Sequence, residues 1–556
     1  MSKETITLEL SEETVEKPFK VTPLEIYRRH NHRDSSDGNP VVGAAWSNRM
    51  VSMRHPLDHS GRLRFLRYQD RYGRYFYRRG VQLVMGLAVM RTLPNEHLQV
   101  GHSIENGYYY QFNGWDVVPK NTLDAITEEM NKICREDHPI EVEIMDPATA
   151  LELFQKRDCY DKVRLIRHWD VEEIQLHRVD NFYDIAYFPA PESTGITHNF
   201  QLRSYMPGFI LRFPSPNDPT TIPEAEDQPK LFQIYQETKK WARILDVDDV
   251  GSLNEVITNG EIGKFIKISE AFHEKKISQI ADQIKERFDE LNVIAIAGPS
   301  SSGKTTFSKR LDTQLRINGI NSVRLSTDDY FVEREETPLD DEGNYNFESV
   351  EALDLKLFNN HLERLLQGET VEVPEFSFEE GSRKDETTPL TVGDDDLVII
   401  EGIHGLNPRV TKALPRHRKF LIYVSALTQL VIDEHNRIST SDSRLIRRIV
   451  RDILFRDIQP ETNINRWPSV RRGEQTWIFP FQERADVMFN SALLYEIGAL
   501  KPYVIPALEQ IDDDNPAFRT AHRIRRFTDL FQPIDSQGIP PTSILREFIG
   551  GSSFDY

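Results

Sequence analysis

Apolar and polar positions recur at different periods along this 556-residue chain, and the changes of period mark its segments. From residue 5 to about 70, short alternating stretches are broken by turns at Ser35-Ser36-Asp37-Gly38 and Ser60-Gly61. One helix-like stretch, Leu24 to His30, lies between them, and together they predict a small mixed sheet with one helix. Residues 211 to 228, rich in proline and acids, predict a linker. Two helices should follow; in the second, Ile277, Ile280, Ala281, Ile284 and Phe288 form one apolar stripe at helical spacing. Beyond it four runs, Val293–Ala297, Ser322–Ser326, Leu397–Ile400 and Phe420–Val424, alternate with helical patterns and predict a parallel sheet flanked by helices. Phe307, Leu311 and Leu315 recur every four residues ahead of Gly319, which offers a C-terminal stop. Residues 467–495 and the tail after Phe531 carry no clear period, except that Ser543–Ile549 reads as a short apolar segment that docks.

Composition changes this picture little. The length predicts about three or four domains. A hydrophobic content of 38% and a charged content of 28% describe an ordinary soluble protein. A net charge of −20 argues against a broad nucleic-acid surface while leaving room for a local basic patch. Two cysteines, Cys134 and Cys159, exclude a disulfide framework or a four-cysteine zinc site and suit a reducing cytoplasm. Residues 1–7 carry no apolar signal core, and the run from Val81 to Val89 is too short to cross a membrane, so no membrane partner is expected.

The candidate chemistry begins where the first apolar run ends. Gly298 to Thr305 match G-x-x-x-x-G-K-[ST] in full, between a predicted strand and a predicted helix. Glycines let backbone N–H groups close on phosphate oxygens, and the helix N-terminus adds positive potential. Gly298, Ser300, Ser301, Ser302, Gly303, Lys304, Thr305 and Thr306 are therefore the candidate nucleotide ligands. Lys304 is placed to reach the β- and γ-phosphates, and the Thr305 hydroxyl to ligate Mg2+. Asp328 stands at the end of the second run, where it can accept the proton of an attacking hydroxyl or hold Mg2+. A helix-cap or turn aspartate is the competing reading. Glu401 follows four apolar residues, the pattern of an acid that lies near Mg2+ and the attacking group. A predicted helix from Ser443 to Arg456 carries Arg444, Arg448 and Arg451 on one face and Arg456 at its end, all suited to phosphate oxygens. A solvated face paired with Asp442 and Asp452 competes with that reading.

These motifs, with Val373-Pro374, Ser382-Arg383-Lys384, Glu401-Gly402-Ile403 and Arg447 to Asp452, resemble the uridine kinase and phosphoribulokinase family over roughly residues 290 to 510. The resemblance implies an ATP- and Mg2+-dependent kinase. In it Lys304, Asp328, Glu401, Arg448, Arg451 and Arg456 are catalytic, Asp328 is the general base, and Thr305, Asp328 and Glu401 attend the metal. It places Asn346, Phe376 and Arg383 on the acceptor side. The family's Asn-Phe-Asp ribose segment falls on Asn344-Tyr345-Asn346, and its base-reading Tyr-Asp-Phe and His fall on Phe376-Ser377-Phe378 and Gly381. An amide thus stands where a carboxylate is expected, and the acceptor pocket should be roomier and less selective for pyrimidines.

The first 210 residues resemble threonyl-tRNA synthetases. Val41–Ala45 through Leu63–Leu66 resemble the ubiquitin-like TGS module, and Gly101–Tyr110, Pro189 and Ser193-Thr194-Gly195 resemble the editing-type domain. Its metal-ligand positions fall on Leu83, Leu87, Ala186 and Ala190, none of which can coordinate a metal or move a proton. His97 and His102 flank a predicted strand and read as surface or structural histidines.

The fold class expected is thus multidomain α/β and α+β. Residues 1–70 form a β-grasp TGS-like domain, 71–210 an editing-like α+β domain, 211–288 a linker with helices, 289–510 a P-loop kinase domain, and 511–556 a tail. The partner expected is a small-molecule, nucleoside-like hydroxyl acceptor; oligomeric state stays open. An ATP-dependent regulatory or RNA-associated protein, using its front domains as a platform, is the alternative.

Overall fold

The computed structural model describes residues 5–10, 14–29, 38–340, 342–377 and 380–555. The expected turn at 35–37, His30 and Phe378 lie outside the described residues. The N-terminal sheet is mixed, as the alternation predicts. Its strands run in the order Thr14–Pro18, Thr5–Glu9, Gly61–Arg67, Val41–Trp46, Arg49–Val51, with Thr5–Glu9 and Gly61–Arg67 parallel. One helix, Pro23–Arg29, seals Leu24 and Ile26 against it.

The next module is α+β. The helix Gly73–Thr92 packs on a four-stranded antiparallel sheet and a three-stranded one. Leu83 and Leu87 are both fully buried on this helix, and Ala186 and Ala190 are buried opposite, so all four positions belong to the apolar core. His102 lies within the strand Leu98–Ile104 rather than beside it, buried and stacked near Tyr235. Burial drives its pKa down to about 3, which keeps it neutral. His97 instead meets Glu434 of the C-terminal half at 3.0 Å.

Three helices, not two, follow the linker: Pro229–Ile244, Val250–Thr258 and Ile262–Glu286. The middle one is only nine residues long and begins at an Asp249–Ser252 capping box, too short for a clear apolar stripe. Ile277, Ile280, Ala281 and Ile284 are fully buried as predicted, whereas Phe288 falls beyond the helix end.

The C-terminal half is built on a five-stranded parallel sheet ordered Ser322–Ser326, Leu397–Glu401, Val293–Ala297, Lys419–Ser425, Val487–Asn490. The fifth strand comes from the region without a period. It has four residues, too few to show one. Val293–Ala297 occupies the sheet centre with every residue buried, which is why it reads as an unbroken apolar run.

A short hairpin, Val431–Asp433 paired with Asn436–Arg437, leaves this half and inserts into the front module. Val100 N–H donates to the Glu434 carbonyl (2.7 Å), and Val431 packs in the front core. Lys162 reaches Asp161 (3.4 Å), Asp184 (3.2 Å) and, on the hairpin, Asp433 (3.4 Å), all nearly or fully buried. Burial opposes the ammonium charge, but the three aspartates outweigh it and hold the Lys162 pKa well above its ordinary value. The C-terminal segment is also part of the body: Ala521, Ile524, Leu530 and Phe531 of 511–556 sit in the largest core cluster.

Candidate active site

The phosphate loop leaves the central strand at Gly298, where any Cβ would lie 2.0 Å from the Val424 carbonyl oxygen. Only glycine fits this approach. The loop closes through Ser301 (φ +58°) and Gly303 (φ +80°), both left-handed, and the helix Lys304–Ile317 begins at once. Phe307, Leu311 and Leu315 anchor that helix in the core, so its N-terminus is fixed relative to the sheet.

Arginines of one helix and a neighbouring serine hold the loop. The helix runs Thr440–Phe455, starting three residues before the sequence suggests. Arg444 Nε donates to the Ser300 carbonyl (2.8 Å) while its other nitrogens pair with Glu474. Arg447 reaches the Ser301 carbonyl (3.5 Å), and Ser491 Oγ donates to that of Ser302. Arg444 is therefore a buried positioning residue and does not share an open face with Arg448 and Arg451. Arg448 donates to Ser300 Oγ (3.3 Å) and Asn463 Oδ1 (2.9 Å). The fully buried Asp452 is shared by Arg448, Arg451 and Arg456. Asp442, the other acid considered, pairs instead with Arg523. The arginine face is thus ordered by one carboxylate, with Arg456 still 46% exposed.

Adjacent strand ends deliver the acids. Asp328 follows Ser322–Ser326, whose Ser326 Oγ accepts from the Asp328 amide (3.1 Å). Burial raises the Asp328 pKa, opposed by Lys304, Arg456 and Arg451, which are the charges it faces. Glu401 ends the next strand; Thr305 Oγ1 donates to its Oε1 (3.1 Å). Burial pushes Glu401 up to about 7 against the pull of Lys304, with Asp328 and Glu547 adding to the rise. Lys304 Nζ meanwhile donates to the Pro299 carbonyl (3.3 Å) and forms no ion pair within 4.0 Å among the described residues. Asp329 is also pushed up, to about 6, by burial and by its neighbour Asp328.

A carboxylate that sequence reasoning missed lies opposite. Glu348 has a buried Oε2 with no hydrogen-bond partner. Burial and Glu474 push its pKa to about 7 despite Arg448, Arg444 and Lys304. Asn346-Phe347-Glu348 itself reads Asn-aromatic-acid, two residues along from the segment chosen. The Asn346 backbone N–H donates to the Pro338 carbonyl (2.7 Å), and two residues on Glu348 supplies an acid to this side.

The remaining acceptor-side candidates are placed differently from expectation. Arg383 donates to the carbonyls of Phe331 (3.1 Å) and Tyr330 (3.3 Å) and meets Asp354, tying its hairpin to the end of the Asp328 segment. Phe376 packs with Phe331, rings 5.6 Å apart, in a small apolar cluster. No roomier pocket opens at Gly381. It holds φ +75°, and a Cβ there would strike the Arg334 guanidinium at 2.4 Å, so arginine fills the space.

A second unforeseen group arrives from the tail. Glu547 accepts hydrogen bonds from the Thr306 amide (3.2 Å) and Thr306 Oγ1 (2.7 Å), and Ile544 packs where a Cβ on Gly303 would be. The docking segment expected at Ser543–Ile549 therefore docks on the phosphate loop itself.

For a metal, Thr305 and Glu401 supply oxygens side by side, with Asp328 facing the same lysine. Among the described residues no group of three or more His, Cys, Asp or Glu is arranged to hold an ion alone. That donor set fits Mg2+, which takes one or two carboxylates together with phosphate oxygens.

Residues 293–496 match the sequence profile of the phosphoribulokinase / uridine kinase family, so the chain carries a domain of that family at its C-terminal end. The N-terminal region matches threonine–tRNA ligases. That of Thermotoga neapolitana is 32% identical over 199 residues, covering 35% of this chain and 29% of the ligase. That of Acetivibrio thermocellus is 33% identical over 153 residues, covering 27% and 24%. The chain thus spans under a third of the curated relatives it matches. Among solved structures, a protein described as a possible uridine kinase from Bacillus stearothermophilus is 20% identical with a TM-score of 0.25, covering 37% of this chain and all of that one. D-glycerate 3-kinase from Cryptococcus neoformans is 14% identical with a TM-score of 0.22, covering 48% of this chain and 89% of that one. No helix among the described residues is long and apolar enough to cross a membrane.

Proposed function

We propose that this protein transfers the γ-phosphoryl group of ATP to a hydroxyl of a small, nucleoside-like acceptor. The observation that carries the reading is the convergence of Asp328 and Glu401, from adjacent strand ends, on Lys304 and Thr305 of the phosphate loop. Lys304 and the loop amides bind the phosphates, and Thr305 with Glu401 holds Mg2+, which neutralises charge on the phosphates when bound. Asp328, with a pKa raised by burial, accepts the proton of the attacking hydroxyl. Arg451 and Arg456, whose charges face Asp328, neutralise charge on the transferring group in this reading. Glu348 orients the acceptor by hydrogen bonding to a sugar hydroxyl. Nucleotide competes with Glu547 for the Thr306 donors, so the tail shifts as phosphate enters.

Acceptor choice follows the revised pocket. Phe376 and the Arg334 side chain beside Gly381 replace the base-reading groups the resemblance would supply, while Glu348 retains a carboxylate for the sugar. Preference should follow the sugar more than the base. Purified protein given ATP, Mg2+ and a panel of uridine, cytidine, inosine, guanosine and adenosine tests this through kcat/KM. Acceptor-dependent transfer with less than about 100-fold spread among bases supports it. ATP hydrolysis that ignores acceptor and rises with RNA contradicts it and favours the platform alternative.

A further inference from the structure

Between the front module and the kinase-type half lies a cavity of about 1060 Å³. Its lining excludes Lys304, Asp328 and Glu401, and it touches the phosphate loop only at Pro299. Nine arginines and three carboxylates line it, in a chain whose formal net charge is −20. Five of those arginines are neutralised by acids. The other four, Arg71, Arg74, Arg78 and Arg437, form no ion pair among the described residues.

Two of the four are locked in place. The Arg78 guanidinium lies 4.9 Å over the Phe213 ring and 5.7 Å over Tyr108, and donates to Asn106 Oδ1 (3.2 Å). Arg437 lies 5.1 Å from the same Tyr108 ring. The Nε atoms of both are buried without a hydrogen-bond partner. Burial opposes ionisation of Tyr108, but the two guanidiniums outweigh it and pull its pKa below the ordinary tyrosine value. Two like charges meeting at one phenol with no acid between them cost folding energy. Guanidiniums held in this way match phosphate oxygens. Tyr75, Tyr108, Phe188 and Phe479 add ring faces on which a base can stack.

The position is specific to the two-module architecture. Arg437 belongs to the inserted hairpin and stands three residues before the arginine helix, whose Arg444 also lines the cavity and grips the Ser300 carbonyl. We propose that this cavity binds a nucleoside phosphate, free or at the end of a nucleic-acid strand, through Arg71, Arg74, Arg78 and Arg437, at a site separate from the phosphate loop.

The test uses the full chain carrying Lys304→Ala, which weakens phosphate binding at the loop about 10- to 100-fold and should leave affinity at this cavity unchanged, titrated with AMP, with UMP and with a single-stranded hexanucleotide. Saturable one-to-one binding should survive Lys304→Ala. It should weaken at least about 10-fold when Arg437→Gln or Arg78→Gln is added, as expected for losing one charge-assisted contact, and less with Arg437→Lys. Circular dichroism confirms that each variant folds; Arg437→Lys, which keeps the charge and the stem on the hairpin, remains informative if Arg78→Gln does not fold. Comparable affinity for mononucleotides identifies a free nucleotide, and a much tighter hexanucleotide identifies a strand end; both support the site. No saturable binding, binding lost with Lys304→Ala alone, or binding indifferent to Arg437→Gln in folded protein overturns it.

Discussion

Two lysines in this chain sit among several carboxylates, one buried and one half-buried, and their fates differ. Lys162 touches three aspartates within 3.4 Å and is enclosed on every side. Lys304 faces Asp328, Glu348 and Glu401 as charge neighbours yet, among the described residues, donates only to the Pro299 carbonyl. In the first cluster Asp161 and Asp184 are held below their ordinary pKa, because Lys162, with Arg79 for Asp184, outweighs the burial that would raise them, while burial keeps only Asp433 raised. Asp328, Glu348 and Glu401, in the second, are all raised. The first cluster is electrostatically closed and joins the two halves. The second is short of positive charge and paired contacts, the condition of a site awaiting phosphate and metal.

The sharpest way to break this contrast is Lys162→Met. It strands three aspartates in a dry interface and should cost about 3–5 kcal/mol of unfolding free energy, read by urea denaturation. A loss below about 1 kcal/mol would show that the cluster is not what binds the halves. Lys304→Met is the matching change on the other side. It should leave stability within about 1 kcal/mol while weakening ATP binding about 10- to 100-fold, the worth of a charged hydrogen bond. Equal losses of stability in both variants would erase the distinction.

Protonation sharpens it further. The Glu401 pKa rises from 4.5 in the unfolded chain to about 7 in the fold, so the folded state binds the extra proton between those values. Stability of the ligand-free protein should therefore fall as pH rises from about 4.5 to 7, by about 1.4 kcal/mol per unit of pKa shift. Glu401→Gln should flatten that slope. If Glu401 holds the metal as proposed, Mg-ATP needs it ionised, so binding near pH 6.5 should release about three-quarters of a proton and weaken as pH drops below 7. Calorimetry in two buffers of different ionisation enthalpy measures it; no proton release would remove Glu401 from the metal site. The smallest effect concerns the tail. Glu547→Ala frees the Thr306 donors and should tighten nucleotide binding by up to about 10-fold, the worth of one or two hydrogen bonds. Weaker binding would mean that the tail helps to build the site.

What could be read in the sequence follows from range. Gly298–Thr306, Asp328 and Glu401 each stand at the end of an apolar run, so local pattern alone places them at one edge of a parallel sheet. The N-terminal mixed sheet was legible for the same reason. Glu348 carried a signal as well, the acid two residues after Asn346, but a second Asn-aromatic pair at Asn344-Tyr345 masked it. Glu547 and Arg437 carried none: each enters its site from a segment of a few residues whose partners lie far away in the chain, 241 residues in the case of Thr306 and Glu547. Arg444 looked like its neighbours on the helix face, and only the packing of Glu474 against it separates a loop-holding arginine from the others.

The most direct test of the phosphoryl-transfer reading is a pair of measurements on one variant, Asp328→Asn: the equilibrium affinity for ATP and the rate of acceptor-dependent transfer under saturating ATP. The proposed role predicts unchanged ATP affinity, because it assigns Asp328 to the acceptor's proton and not to the nucleotide, with transfer slowed about 10²- to 10⁴-fold, the span for loss of a general base. Transfer at close to the unmodified rate would contradict the account.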